Sequence, residues 1–593
     1  MRFASADSSK YRRYAAIAVA GAALLGGALP SPAAKEAVSG TADATSAAGT
    51  ADRCGTLKDL MNGHWPDSTT HIVASSWQPA GLQVKTMMGS VGPLPEHCEL
   101  TAVMHERVGS DGQHYAIRFH LRLPAQWNTR FLFEGGGGTE GDLGLAVGFI
   151  GFGVSPAIAR GYAIVAQDAG HDNATNSVAE RGGPVAFGFD PQARADYGGA
   201  SLNPVAQAAK AIILIYYDHL PSRSYFVGCS KGGQEGMVFV QRYPDVFDGI
   251  VAGAPGFSLP RAAVAETWDT QAFNSLIAPA GQKSTDARSL SASFSDAQLS
   301  VFREAILAAC DADDGARDGI TAAFGSCSWL RVEKELKHKL CSATIGASCL
   351  SEAQIKVLGR VYGGPRNSAG KPLYSDWPLD AGAGSPAWRI WKIGAANGSA
   401  PSINVAMGAP ALAAIFTTAP TALRADPQAA LDYALGFNFD SDAAKIYATE
   451  GPFRSSAWTD IAARSPHLEA FRAHGGKMIV PHGASDPVFS LNDTLTWYRE
   501  VNQLERGTAS SFVRVFPVPG MAHCAGGPAT DQFNAFDALV DWVEKGTAPD
   551  RILAKAGPGS PWPGRTRPLC PYPKFARYSG SGSIEDAQNF SCK

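Results

Sequence analysis

The stretch VGCSKGGQEG, residues 227–236, decides how the chain is read. Ser230 stands at the centre of Gly228-Cys229-Ser230-Lys231-Gly232, a G-x-S-x-G pattern. The short apolar segment SYFVG (224–228) precedes it, and GGQEGMVFVQRYP (232–244) follows with helical spacing. A strand, a tight turn and a helix in that order project a serine hydroxyl from the edge of a sheet. Gly232, Gly233 and Gly236 suit the close strand–helix packing such a turn needs. The alternative is a serine that merely caps a helix.

Working outward, strand-like and helix-like segments alternate. HYAIRFHLRLP (114–124) has a period of two, RFLFEGGGG (130–138) is a strand running into glycines, and GYAIVAQDAG (161–170) is an apolar run ending in a turn. NPVAQAAKAIILIYY (203–217) has helical spacing, and DGIVAGAPG (248–256) is a further strand. This alternation predicts a mostly parallel sheet with helices on both faces. From Phe257 to Arg472 the pattern gives way to loops, helical stretches, tryptophans and four cysteines. Sheet-like segments return in GKMIVPHGASDP (476–487) and SFVRVFPVPGMAHC (511–524). The prediction is a sheet domain in two parts, 51–256 and 473–593, interrupted by an inserted domain at 257–472.

A serine hydroxyl needs a base to act as a nucleophile near neutral pH. In strand–turn–helix hydrolases the partners follow in the order serine, acid, histidine, each at a strand end. Asp486 follows one returning strand and His523 the next, so Ser230, Asp486 and His523 are the expected triad. His482 competes with His523 but would break the order. Cys229 precedes the serine and Cys524 follows the histidine. A disulfide holds two Cα atoms about 5.5–6 Å apart, so a Cys229–Cys524 bridge would tie the two catalytic loops together. Donors to an oxyanion are expected from the Lys231 N–H and, in EGGGGTEG (134–141), from Gly138. The same glycines without a following Lys-Ser/Thr do not make a phosphate-binding loop.

Lys10, Arg12 and Arg13, an apolar run from Tyr14 to Leu29, and small residues at Ser31, Ala33 and Ala34 make residues 1–34 an export signal. The run is shorter than the ~20 residues of a membrane span. Residues 35–50 are Ala/Ser/Gly/Thr-rich and are expected to be a disordered linker. A soluble, exported, periplasmic or secreted monomer is expected. In that compartment ten cysteines without CxxC spacing read as disulfides rather than zinc ligands. A net charge of −3 argues against a nucleic-acid partner, and no apolar run argues for a membrane one.

GCSKGGQEG, HGASDPVFS and VPGMAHCAGG together resemble the tannase/feruloyl esterase family, and the resemblance extends from Cys54 to Cys592 through FGFDPQARADYG, DGIVAGAPG and RTRPLCPYPKFARYSGSGS. It implies an α/β-hydrolase core with a large inserted lid, a serine carboxylesterase activity on small aromatic esters, and no organic cofactor. It also implies the pairs Cys54–Cys98, Cys310–Cys327, Cys341–Cys349 and Cys570–Cys592. A structural calcium in the lid is implied too, on CDADDGARDGI (310–320), with Asp311, Asp314 and Asp318 as side-chain ligands and Ala316 and Ile320 as backbone ones. Three carboxylates in eight residues suit a hard cation, though not with EF-hand spacing. Trp391 and Phe489 match aromatic pocket positions. Family members that take a terephthalate monoester hold its free carboxylate with a lid arginine. In GSAPSINVAMGAPALAAIF (398–416) Val405 stands at that position and Ala409 replaces a pocket phenylalanine, which leaves Lys392 as the nearest cation in sequence. Feruloyl, chlorogenate or gallate esters are the alternative substrates, and a non-catalytic binding protein on the same fold the alternative class.

Overall fold

The computed structural model describes residues 50–593 except 87–88, 279–281, 283, 343–345 and 347. The export signal and all but the last residue of the linker lie outside the described residues. Nine strands form the main sheet: β1 (His71–Gln78), β2 (His97–Val108), β3 (His114–Pro124), β4 (Arg130–Glu134), β5 (Ala163–Gln167), β6 (Arg223–Cys229), β7 (Gly249–Gly253), β8 (Lys477–Gly483) and β9 (Val513–Val518). Their spatial order is β1-β2-β3-β5-β4-β6-β7-β8-β9. The six strands from β5 to β9 run parallel, while β1, β2 and β3 are antiparallel additions at one edge. This is the α/β-hydrolase arrangement.

The strands sort their side chains by the two-residue period. On β4, Phe131 and Phe133 enter one apolar layer with Phe226, Phe239 and Phe247, while Leu132 enters the other with Ile164, Tyr225, Ile479 and Phe516. Helices α1 (Leu202–Tyr217) and α2 (Lys231–Arg242) cover the first face. A C-terminal helix, Ala535–Lys545, covers the second through Phe536, Leu539 and Trp542. β1 and β2 were not anticipated. β1 is an edge strand whose mostly exposed residues give no alternation to read.

Between β7 and β8 the described residues form helices and isolated bridges, including α3 (Leu259–Asn274) and α4 (Pro386–Lys392). The insertion's apolar core, with Phe273, Phe302, Leu358, Trp388, Leu412 and Leu431, is continuous with Phe187, Tyr197 and Phe489 of the sheet domain. It is fastened to the sheet domain by charge as well as apolar contact. Arg194, fully buried, donates to Asp460 (2.9 Å), Thr418 (2.8 Å) and the Ser455 carbonyl (2.7 Å), and its guanidinium lies 4.3 Å from the Phe453 ring centroid. No helix of the described residues is long and apolar enough to cross a membrane.

Removing one member of a buried ion pair leaves the other desolvated and unpaired, at a cost of about 3–5 kcal/mol. Arg194→Met is therefore expected to lose about that much in urea denaturation, and a loss under about 1 kcal/mol would show that Arg194 does not tie the insertion down.

Candidate active site

Ser230 ends β6 and opens α2 with φ 66° and ψ −119°, a left-handed conformation that costs about 1–3 kcal/mol outside glycine. It stands at the N-cap position of α2, but its side chain makes no capping hydrogen bond and so does not serve the helix. The turn is held by its backbone: Ser230 N–H donates to the Gly253 carbonyl (3.0 Å), and Gly256 N–H to the Ser230 carbonyl (3.1 Å). Gly233 is required here, since a Cβ would fall 2.3 Å from the Gly253 oxygen.

Asp486 and His523 come together as the sequence predicts. His523 Nδ1 donates to Asp486 Oδ2 at 2.8 Å, and the other carboxylate oxygen accepts the N–H groups of Val488 (2.8 Å) and Phe489 (3.1 Å). Burial alone would raise the Asp486 carboxyl. The charge of His523 and hydrogen bonds from His482 and His523 outweigh it and hold the group well below the usual carboxylate range. His523 Nε2 has no partner among the described residues and is the nitrogen left to exchange a proton. His482 is fully buried with both ring nitrogens engaged, by Thr494 (3.0 Å) and the Phe489 carbonyl (3.0 Å). It supports the acid loop and has no free nitrogen for a serine.

Cys229 and Cys524 are bonded, with Cα atoms 6.1 Å apart, and the other four cysteine pairs are those implied by the resemblance. Trp391 and Phe489 stand edge-to-face against the His523 ring, with centroids 5.5 and 5.3 Å away. The bridge thus holds the Ser230 and His523 loops together, and two rings flank the histidine.

The glycine loop before α2 rests on a buried charged cluster that the sequence reading missed. Lys231 Nζ lies 3.1 Å from Glu235 and 3.8 Å from Glu140, over the Tyr197 ring. Glu235 accepts the Gly136 N–H (3.1 Å), and the Tyr197 hydroxyl donates to the Gly138 carbonyl (3.2 Å). Gly138 itself has φ 62°. The i,i+4 spacing of Lys231 and Glu235 was visible in the sequence, but Glu140 and Tyr197 reach it only through the fold. Asp380 was also missed. It accepts the N–H groups of Gly382 (3.1 Å) and Gly520 (2.9 Å) and bonds Ser485 and Thr321, joining the insertion to the turns that carry Asp486 and His523.

Lys392 is not a solvated cation. It is 1% exposed, paired with Asp269 and 4.0 Å from the Trp377 ring centroid. Val405 and Ala409 are buried at 0% and 1%.

In the acidic loop, Asp314 accepts the N–H groups of Ala316 (3.0 Å) and Ala322 (3.2 Å), Asp318 accepts Ile320 N–H (3.0 Å) and pairs with Arg567, and Asp311 accepts Gly319 N–H (3.2 Å). Among the described residues no group of three or more His, Cys, Asp or Glu side chains is gathered as a metal cluster. The loop's charge is nonetheless only partly offset. Burial and then the charges of Asp318 and Asp311 push the Asp314 carboxyl up to about 7, and burial with the charge of Asp318 raises Asp311. Three mutually repelling, all-oxygen donors with one arginine among them fit a hard cation.

The tannase and feruloyl esterase profile matches residues 98–593. The mono(2-hydroxyethyl) terephthalate hydrolase of Piscinibacter sakaiensis is 43% identical over 565 residues, covering 91% of this chain and 91% of its own length. A probable feruloyl esterase of Arthroderma benhamiae is 29% identical over 488 residues, covering 80% and 81%. The crystal structure of feruloyl esterase B from Aspergillus oryzae superposes with a TM-score of 0.68 over 91% of this chain and 100% of that one at 24% identity, and so shares its fold. With a profile match across the sheet domain and the insertion, this chain belongs to the tannase and feruloyl esterase family, a family of carboxylic ester hydrolases.

Proposed function

We propose that the protein is an exported serine carboxylesterase acting on esters of aromatic acids. The observation that carries this reading is the Asp486–His523 hydrogen bond on a loop disulfide-bonded to the strained Ser230 turn. Ser230 Oγ attacks the ester carbonyl while His523 Nε2 takes its proton. Asp486 fixes the Nδ1–H tautomer and balances the imidazolium charge. The N–H groups of Gly138 and Lys231 receive the oxyanion. His523 returns the proton to the departing alcohol, and water, activated in the same way, releases the acid from Ser230.

Trp391 and Phe489 beside His523 suit a flat acyl ring. Residues 257–472 act as the lid that supplies part of this pocket. Five disulfides suit an oxidising compartment outside the cytoplasm. A terephthalate monoester and feruloyl-type esters are the two substrate readings, from the relatives that act on them, and Val405 in place of a cation favours the second. In the lid, the side chains of Asp311, Asp314 and Asp318 with backbone oxygens of Ala316 and Ile320 would hold a structural calcium, which neutralises their charge and takes no part in the reaction.

Ser230→Ala is expected to abolish hydrolysis of methyl ferulate with the fold intact by circular dichroism; turnover within tenfold of wild type would remove Ser230 from its role. The double variant Cys229→Ala/Cys524→Ala should lose kcat by on the order of a hundredfold well below its Tm, with a smaller change in KM, because displacements near 1 Å misalign proton transfer. Full kcat in the folded double variant would show that the bridge does not set the catalytic geometry. Chelation should lower Tm without altering initial rates at temperatures below the transition. Absence of calcium in metal analysis of undialysed protein, together with an unchanged Tm, would overturn the calcium site.

A further inference from the structure

At the C-terminal ends of β4, β6 and β7 lies a cavity of about 270 Å³, which Glu134, Cys229 and Gly253 line. One wall is the Cys229–Cys524 bridge with Gly135 and Gly136 of the glycine loop. Ser230, Asp486, His523, Trp391 and Phe489 do not line it. It is therefore a separate space from the proposed acyl site, joined to it through the cysteines next to Ser230 and His523.

Its other walls are largely apolar, as those of small-molecule sites are. Phe149, Phe152 and Phe533 supply rings, and Val251 and Met521 further apolar surface. The Phe149 and Phe152 rings stand edge-to-face with centroids 5.3 Å apart. Their loop is held in place. The N–H groups of Gly148 and Phe149 donate to the Glu134 carboxylate (3.1 and 3.0 Å), and a Cβ on Gly151 would stand 3.0 Å from the Phe533 carbonyl oxygen. Phe149 is nevertheless 41% exposed, so the cavity reaches solvent beside it. A large ring held in water at the mouth of an apolar cavity is surface that a ligand would cover.

The charge there decides what can be recognised. Glu134 and Asp531 are the ionisable side chains that line the cavity, and both are carboxylates. Asp531 accepts the Gly526 N–H (2.9 Å). The Arg122 guanidinium feels the charge of Glu134, but it pairs with Glu99 and does not line the cavity. A ligand thus meets acceptors with lone pairs to spare and no side-chain cation. An anionic carboxylate would be repelled by both groups. A hydroxyl would find an acceptor, and an aromatic ring would cover Phe149.

We propose that this cavity is a second ligand site, which takes an aromatic alcohol and excludes the corresponding acid. The site goes beyond the esterase reading and does not depend on it, because no member of the triad contributes to it.

The test is calorimetric titration with cinnamyl alcohol, cinnamyl methyl ether and cinnamate. Wild type, which needs no variant to fold, should bind the alcohol at least about fivefold more tightly than the ether, which lacks the donor. The apparent Kd for the alcohol should change by less than about twofold when cinnamate is present at about ten times that Kd. Phe149→Ser, at the exposed mouth, should weaken the alcohol by at least about fivefold. Trp391→Ala, in the other pocket, should change it by less than about twofold. Asp531→Asn, whose amide oxygen can still accept the Gly526 N–H, should let cinnamate compete with the alcohol. No binding of the alcohol, equal affinity for the ether, competition by cinnamate in wild type, continued exclusion of cinnamate from Asp531→Asn, or a loss of affinity in Trp391→Ala in place of Phe149→Ser would each overturn the proposal.

Discussion

The Cys229–Cys524 bond joins the two loops whose separation matters most, and much of the site follows from it. The cysteines are 295 residues apart in sequence. On chain-entropy grounds a closure of that length restricts the unfolded chain by on the order of 5 kcal/mol. Its placement matters more than that figure. Ser230 lies at the end of β6 and His523 beyond the end of β9, with β7 and β8 between them in the sheet. Hydrogen-bonded strands set the spacing of strand ends, but not the path of the loops beyond them. A covalent link between the neighbours of both side chains removes that freedom.

The insertion completes what the bridge begins. Asp380 reaches out of it to hold Ser485 and Gly520, on the turns that carry the acid and the histidine. Trp391 and Phe489, one from the insertion and one from the acid loop, confine the imidazole from two sides. Arg194 draws Asp460, Thr418 and Ser455 onto the sheet domain. The insertion is therefore a wall of the site, positioned by buried polar contacts that have strict geometry. Apolar contact alone would tolerate sliding by a few tenths of an ångström.

Buried charge in this molecule is sorted by whether the protein itself answers it. Lys231 is answered by Glu235, Lys392 by Asp269, and Asp486 by His523 and two backbone N–H groups. Those groups shape loops or hold the proposed triad. Asn404 finds no partner among the described residues, and the carboxylates of the acidic loop are answered only in part.

Much of this was legible in the sequence. The glycines and the apolar run around Ser230 dictate the turn because no other residue type fits the strand–helix contact. The order Ser230, Asp486, His523 follows from loops at strand ends. Cysteines adjoining Ser230 and His523 point to one another, and they are bonded. Local periodicity also located seven of the nine strands, but not β1, whose exposed edge carries no pattern, nor β2 beside it. The family resemblance supplied what the local residues left open, namely the other disulfide pairings. Only the tertiary structure could decide the rest. Lys392 reads as a free cation until α3 brings Asp269 against it. Glu140 and Tyr197 become supports of the glycine loop and of Lys231 through contacts separated by tens of residues. Glu266 is an ordinary helix residue until Gly408 packs against its carboxyl. Sequence fixes chemistry at short range, where geometry follows from bonds and backbone sterics. Which charges are left unpaired depends on desolvation, and that is a property of the packed whole.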